Sequence, residues 1–175
     1  MQTHRMFDTW SKAERWLAGC LGLVALAIGN YQVASRYVAP QLMVSWTDEV
    51  VTYLFVWGIF IICSVLVAED GHVRSDIVLR LLPPAGQRWM EVFNCLVALG
   101  FCAGLTLYGS RIVSDAYDLG ESSGTQLGFP MWLYYAALPV GAALMSVRYV
   151  IRLYRYGFHF DPATMTVDAY HGDKP

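Results

Sequence analysis

The chain has 175 residues, of which 56% are hydrophobic and 15% charged, with a formal net charge of −2. Soluble domains carry about 25% charged residues, so this composition excludes an ordinary water-soluble globule. Twelve Lys and Arg against 14 Asp and Glu make the total charge uninformative by itself, though its distribution by side is not, and no nucleic-acid partner is expected.

Four stretches without an ionisable residue organise the chain: residues 16–35, 50–68, 92–110 and 122–147. A helix rises about 1.5 Å per residue and a bilayer core is about 30 Å thick, so each stretch is long enough to cross it. The expectation is an all-α integral membrane protein with four transmembrane helices near 16–35, 50–68, 92–110 and 125–147. They form one membrane domain over residues 1–155, since no segment between them is long enough for a core of its own.

The N-terminal tail bears Arg5, Lys12 and Arg15 ahead of the first stretch. Ala25-Leu26-Ala27 resembles a signal-peptide cleavage site, but the apolar run starts only after 15 residues and continues to Arg36. A retained helix is therefore expected. Asn30 and Gln32 near its end either bond another helix or sit at the interface.

In the second span Trp46, Tyr53, Trp57 and Phe60 share one helix face, within roughly 60° at 100° per residue, with Glu49 at its edge. Trp46 suits an interfacial belt, whereas Trp57 lies too deep for one. The stripe is packed core, a lipid-facing surface or a partner surface. Asp48 and Glu49 sit where the positive end of the helix favours carboxylates.

The middle connection opposes Val73, Ile77, Leu81 and Leu82 to Arg74 and Arg80 before Pro83-Pro84 forbids continuation. It predicts a short amphipathic helix at the membrane interface between the second and third spans. The third span contains Gly100 and Gly104 as G-x-x-x-G, and Ala18/Gly22, Ala25/Gly29 and Ala137/Gly141 place small residues four apart elsewhere. Such faces let helix backbones approach closely, either within the chain or against another subunit. The fourth span has Pro130 near its start and Pro139 inside, where a kink is expected. Arg148, Arg152 and Arg155 then read as anchors to inner-leaflet lipids. Residues 156–175 read as a polar, disordered cytoplasmic tail.

Two Lys or Arg residues, Arg36 and Arg111, lie in the first and third connections, while ten lie in the tails and the middle connection. This alternation places both termini in the cytoplasm. The outer connections then carry a net charge of −3, giving an acidic outer rim and a basic inner one.

Redox and cofactor chemistry find no support. Cys20, Cys63, Cys95 and Cys102 all fall within spans and form no C-x-x-C pair, so they read as small packing residues. His4, His72, His159 and His171 lie outside the spans, which excludes a haem held within the helices, and their spacing supports no metal site. No span holds an Asp, Glu, Lys, Arg or His of the kind that marks ion and substrate pathways. The expectation is a non-enzyme without cofactor that transports nothing by itself.

The order Arg36-Tyr37, Trp46-x-Asp48-Glu49, Trp57, Gly71-His72-Val73-x-x-Asp76, Leu82-Pro83, Pro130-x-Trp132 and Pro139-x-Gly141 resembles the small membrane subunit of tripartite ATP-independent periplasmic (TRAP) transporters, the DctQ-like family. The resemblance spans residues 16–154. It implies a non-catalytic subunit in the bacterial inner membrane that enlarges the scaffold of a large permease subunit. That subunit would take up an organic acid, driven by an ion gradient and delivered by a periplasmic substrate-binding protein. By the same resemblance Trp46, Asp48 and Glu49 fall on the outer motif, and Gly71, His72 and Asp76 on the inner one. The chain departs from the family pattern with Asp48 where Glu is frequent, and with Ile62-Cys63-Ser64 where a Gly-Ala pair is frequent. Trp46, Asp48, Glu49, Tyr53, Trp57, Gly100 and Gly104 are the candidate partner interface. A self-contained or homo-oligomeric four-helix membrane protein is the rival reading.

Overall fold

The computed structural model describes residues 2–42, 44–68, 83–125 and 127–158. Helix α1 covers Gln2–Val38, and a 3-10 turn at Pro40–Leu42 leads to α2 at Thr47–Ala68. Helix α3 covers Pro84–Asp118, α4 Met131–Tyr135 and α5 Ala137–Phe158. Among the described residues, four helical segments are long and apolar enough to cross a membrane: Thr9–Val38, Thr47–Ala68, Ala85–Asp118 and Met131–Phe158, the last joining α4 to α5.

The helices overrun the charge-free stretches. Helix α1 begins fourteen residues before the expected start at 16, and α3 carries Arg111, Asp115 and Asp118 in its final turns. Continuing a helix past the hydrocarbon satisfies backbone groups that would otherwise need water, and long charged side chains reach the interface from there. The last crossing starts at Met131 rather than 125, because Pro130 is extended, with ψ 117°. It runs on through Phe158, so residues 156–158, assigned above to a disordered tail, are helical and Tyr156 is buried. The amphipathic segment 73–82, Gly71, His72, Asp76 and the tail from 159 lie outside the described residues.

Local chemistry explains where the helices stop. Pro84 occupies the first position of α3, where a missing amide proton costs nothing. At its far end the Gly120 amide donates to the Tyr117 carbonyl and the Glu121 amide to that of Ala116. Gly120 takes a φ of +62°, so this is a Schellman closure on a glycine. The chain then forms a tight loop in which Ser123 donates to Phe129 and Met131 to Glu121. Pro139 offers no proton to the Tyr135 carbonyl, and the helix breaks at Ala136 between α4 and α5.

The long helices lie side by side in the order α1, α2, α5, α3, each packed on the next. Two glycines set the closest approaches. A Cβ built on Gly141 of α5 would lie 2.6 Å from Phe60 Cβ of α2, and one on Gly109 of α3 would lie 3.2 Å from Pro139 Cδ of α5. Val67, Cys102, Ala142 and Met145 form the core where α2, α3 and α5 meet. Because the row is open, α1 and α3 are its edges, and they expose large apolar side chains such as Leu23, Val33, Phe93 and Phe101.

Candidate functional site

At the acidic end, Glu49 stands in the first turn of α2. Its carboxylate accepts hydrogen bonds from the Tyr53 phenol and from the Thr125 hydroxyl of the 119–130 loop. The Tyr53 ring lies 5.1 Å from that of Phe129 and 4.8 Å from that of Tyr134, between centroids. One turn deeper the Trp57 indole N–H donates to the Leu133 carbonyl at 3.2 Å. Phe60 follows against Gly141. Tyr53, Trp57 and Phe60 thus pack on the last crossing, and Glu49 clasps the loop above it. Three of the four aromatics of the stripe are therefore engaged inside the chain. Asp48 is exposed and Trp46 partly so.

Gly100 and Gly104 behave in the opposite way. Neither has any atom within 4 Å of a built Cβ, and Gly100 is exposed between Phe93, Val97, Phe101 and Leu107, all on the surface of α3. Among the described residues, nothing packs on the G-x-x-x-G face. It is a smooth apolar strip on an edge helix, with the shape that allows a second helix to approach closely.

At the basic end the three arginines divide. Arg148 turns inward, and its side chain is 4% exposed. Its guanidinium donates to Glu14 of α1 at 2.5 Å, to the Ser11 hydroxyl at 3.0 Å and to the Ser64 hydroxyl of α2 at 2.9 Å. It also lies over the Trp10 ring, 4.7 Å from the centroid. Ser64, fully buried, donates in turn to Glu14. Arg152 pairs with Glu91 of α3 at 2.9 Å. Arg88 of α3 donates to the Tyr156 and Gly157 carbonyls at the end of α5. Only Arg155 of the three is exposed. Arg148 and Arg152 therefore contact partners in the fold, not headgroups: a buried guanidinium needs a carboxylate more than its surface neighbours need a cation.

Sequence reasoning passed over Glu14, Ser11 and Glu91, and noted Ser64 only as a departure from the family pattern. The available signal was that Glu14 and Glu91 are single acids flanking two spans at the same end as the Arg148/Arg152 pair. Ser64 stands where the expected Gly-Ala pair is missing, and close packing is nevertheless achieved there, with the hydroxyl bridging Glu14 and Arg148. Among the described residues, no three His, Cys, Asp or Glu side chains gather where a metal ion could sit.

Comparison with known proteins adds an independent line. The family described as "Tripartite ATP-independent periplasmic transporters, DctQ component" matches residues 15–156. The chain is 30% identical over 142 residues to the sialic acid TRAP transporter permease protein SiaT of Haemophilus influenzae, covering 80% of this chain and 22% of that one. It is 26% identical over 145 residues to the C4-dicarboxylate TRAP transporter small permease protein DctQ of Pseudomonas aeruginosa, covering 82% and 66%. It is 26% identical over 139 residues to the isethionate TRAP transporter permease protein DctMQ of Oleidesulfovibrio alaskensis, covering 75% and 21%. The chain thus spans about a fifth of the length of the first and third of these relatives and about two thirds of the second.

Proposed function

The chain belongs to the DctQ component family of tripartite ATP-independent periplasmic transporters, a small permease subunit of the bacterial inner membrane, and from that membership we propose that it is the non-catalytic scaffold on which a large permease subunit works. The observation that carries this reading is the bare Gly100/Gly104 strip on α3. Small residues flanked by large exposed apolar ones suit a helix of a partner, and the described helices leave no atom within 4 Å of a Cβ built on either glycine. In the sialic acid and isethionate relatives the matching region belongs to a much longer permease polypeptide. There the remaining four fifths accompany this region covalently, which supports a large partner here.

The substrate class follows by analogy. The three relatives are named for sialic acid, C4-dicarboxylates and isethionate, all organic anions. We assign an organic acid, delivered by a periplasmic binding protein to the acidic rim and moved by the large subunit with an ion gradient. The ion-free centres of the four spans give an anion no counter-charge in mid-membrane, which supports placing the substrate site in the partner.

Affinity purification from the native membrane tests this directly. A multi-helix permease should co-purify in equal amount, and vesicles should take up the organic acid only when both chains and the binding protein are present. Uptake by vesicles holding this chain alone, or its isolation as a homo-oligomer without a permease, would overturn the reading.

A further inference from the structure

Arg148 and Arg152 are one helical turn apart on α5 but reach the two opposite edges of the row. Arg148 pairs with Glu14 of α1 and Arg152 with Glu91 of α3. The two edges of the row are therefore each tied to the same central helix, at the same end, by a buried charge pair. Arg88 adds hydrogen bonds from α3 to the Tyr156 and Gly157 carbonyls of α5, but the contact of α1 with α2 at mid-helix has a different character. Helix α1 packs on α2 through small residues, with Gly58 lying 3.8 Å from the Ala18 carbonyl and 3.9 Å from Leu21 Cβ when a Cβ is built on it. A smooth contact of this kind, surrounded by lipid as apolar as the helix itself, discriminates poorly between registers one turn apart. A guanidinium with three directed donors does discriminate: Arg148 meets Glu14 and Ser11 of α1 and Ser64 of α2 at once, and a slide of α1 by one turn, about 5.4 Å, breaks the contacts to Glu14 and Ser11 while Ser64 stays with Arg148.

We infer that α5 is a two-sided ionic clamp, in which Arg148 sets the register of α1 against α2 and Arg152 sets that of α3, so that the open row behaves as one rigid plate. The clamp stands on the geometry of this chain alone and holds whatever partner the plate serves. Buried ion pairs are weak sources of net stability but good sources of uniqueness, because any alternative arrangement leaves a charge unpaired. Two pairs on one helix face both edges and so fix them independently.

Disulfide cross-linking tests the register. In a background lacking the four native cysteines, Leu21→Cys with Gly58→Cys places Cβ atoms within bonding range, whereas Leu17→Cys or Ala25→Cys with Gly58→Cys reports a slide of one turn. With the clamp intact the first pair should form at least about tenfold more disulfide than the other two. In Glu14→Met/Arg148→Met, which removes both charges together and so leaves none stranded, that preference should fall to about twofold or less. Glu14→Gln, which keeps the shape, should lower it in the same direction and covers the case in which the double variant fails to insert. Glu91→Gln should leave the Leu21/Gly58 preference untouched while amide exchange rises in the first turns of α3. A single register retained in both Glu14 variants, or an α1 register lost in Glu91→Gln, would overturn the clamp.

Discussion

Phe60 of α2 and Gly141 of α5 touch so closely that a Cβ on the glycine would stand 2.6 Å from the Phe60 Cβ. Two parallel crossings are brought into contact by the absence of a single methyl group, with the aromatic ring lying along the space. The contact explains why the aromatic stripe of α2 points inward, since the helix that receives it has no side chain in the way.

Gly141→Ala should destabilise the fold by about 1–3 kcal/mol, the usual cost of overpacking. Trimming the ring with Phe60→Ala should give no rescue, because the clashing atom is the Phe60 Cβ, which alanine retains. Thermal unfolding in detergent of the single and double variants measures both.

Gly100→Ala, by contrast, should not destabilise the isolated chain and should gain up to about 1 kcal/mol from helix propensity, since nothing lies within 4 Å of the added atom. Gly100→Leu should weaken association with the large subunit by on the order of 1 kcal/mol while sparing the chain itself. Comparing melting of the lone chain with co-purification yield separates the two effects.

Removing one member of the Glu14/Arg148 pair should cost about 3–5 kcal/mol, because the other charge is left buried, whereas Glu14→Met/Arg148→Met should come close to the parent. Detergent unfolding of the three variants gives the comparison. Equal losses in single and double variants would mean that shape, not charge, carries the contact.

Asp48 and Glu49 should separate in function although they are adjacent. Glu49→Gln should raise amide exchange across 121–130, since the loop hangs on that carboxylate through Thr125. Asp48→Asn should leave exchange unchanged, as the residue is exposed, and reduce only uptake that depends on the binding protein. Loss of loop protection in Asp48→Asn would assign it the same local role as Glu49.

Orientation is open to thiol labelling in a background without native cysteines. Gln41→Cys and Leu127→Cys should react with an impermeant reagent in intact spheroplasts, and Ala85→Cys and Arg155→Cys should not, all four positions being exposed. Labelling at Ala85 would reverse the membrane topology.

The four crossings and the helix break near Pro139 were legible in the chain, because they depend on hydropathy, on length and on a residue that lacks an amide proton; the family was legible only through the resemblance of its ordered motifs. The roles of individual side chains were much less so. Tyr53 and Trp57 carry the same periodicity whether they face a partner or their own last helix, and only the position of Gly141 and the 119–130 loop settles that they face inward. Gly100 and Gly104 share a motif with small residues elsewhere, and only the order of the helices shows that they lie on a free edge.

The arginines mark the boundary most sharply. Sequence determined that Arg148 and Arg152 follow the last span at the basic end, since hydropathy and charge counting act along the chain. It could not determine that one reaches Glu14, 134 residues away, and the other Glu91, 61 residues away. Helix periodicity puts residues four apart on one face but says nothing about which neighbour that face meets. The tertiary arrangement decided it by placing α5 between α2 and α3, where a buried guanidinium is stable only beside a carboxylate, and each of the two arginines found the acid on its own side.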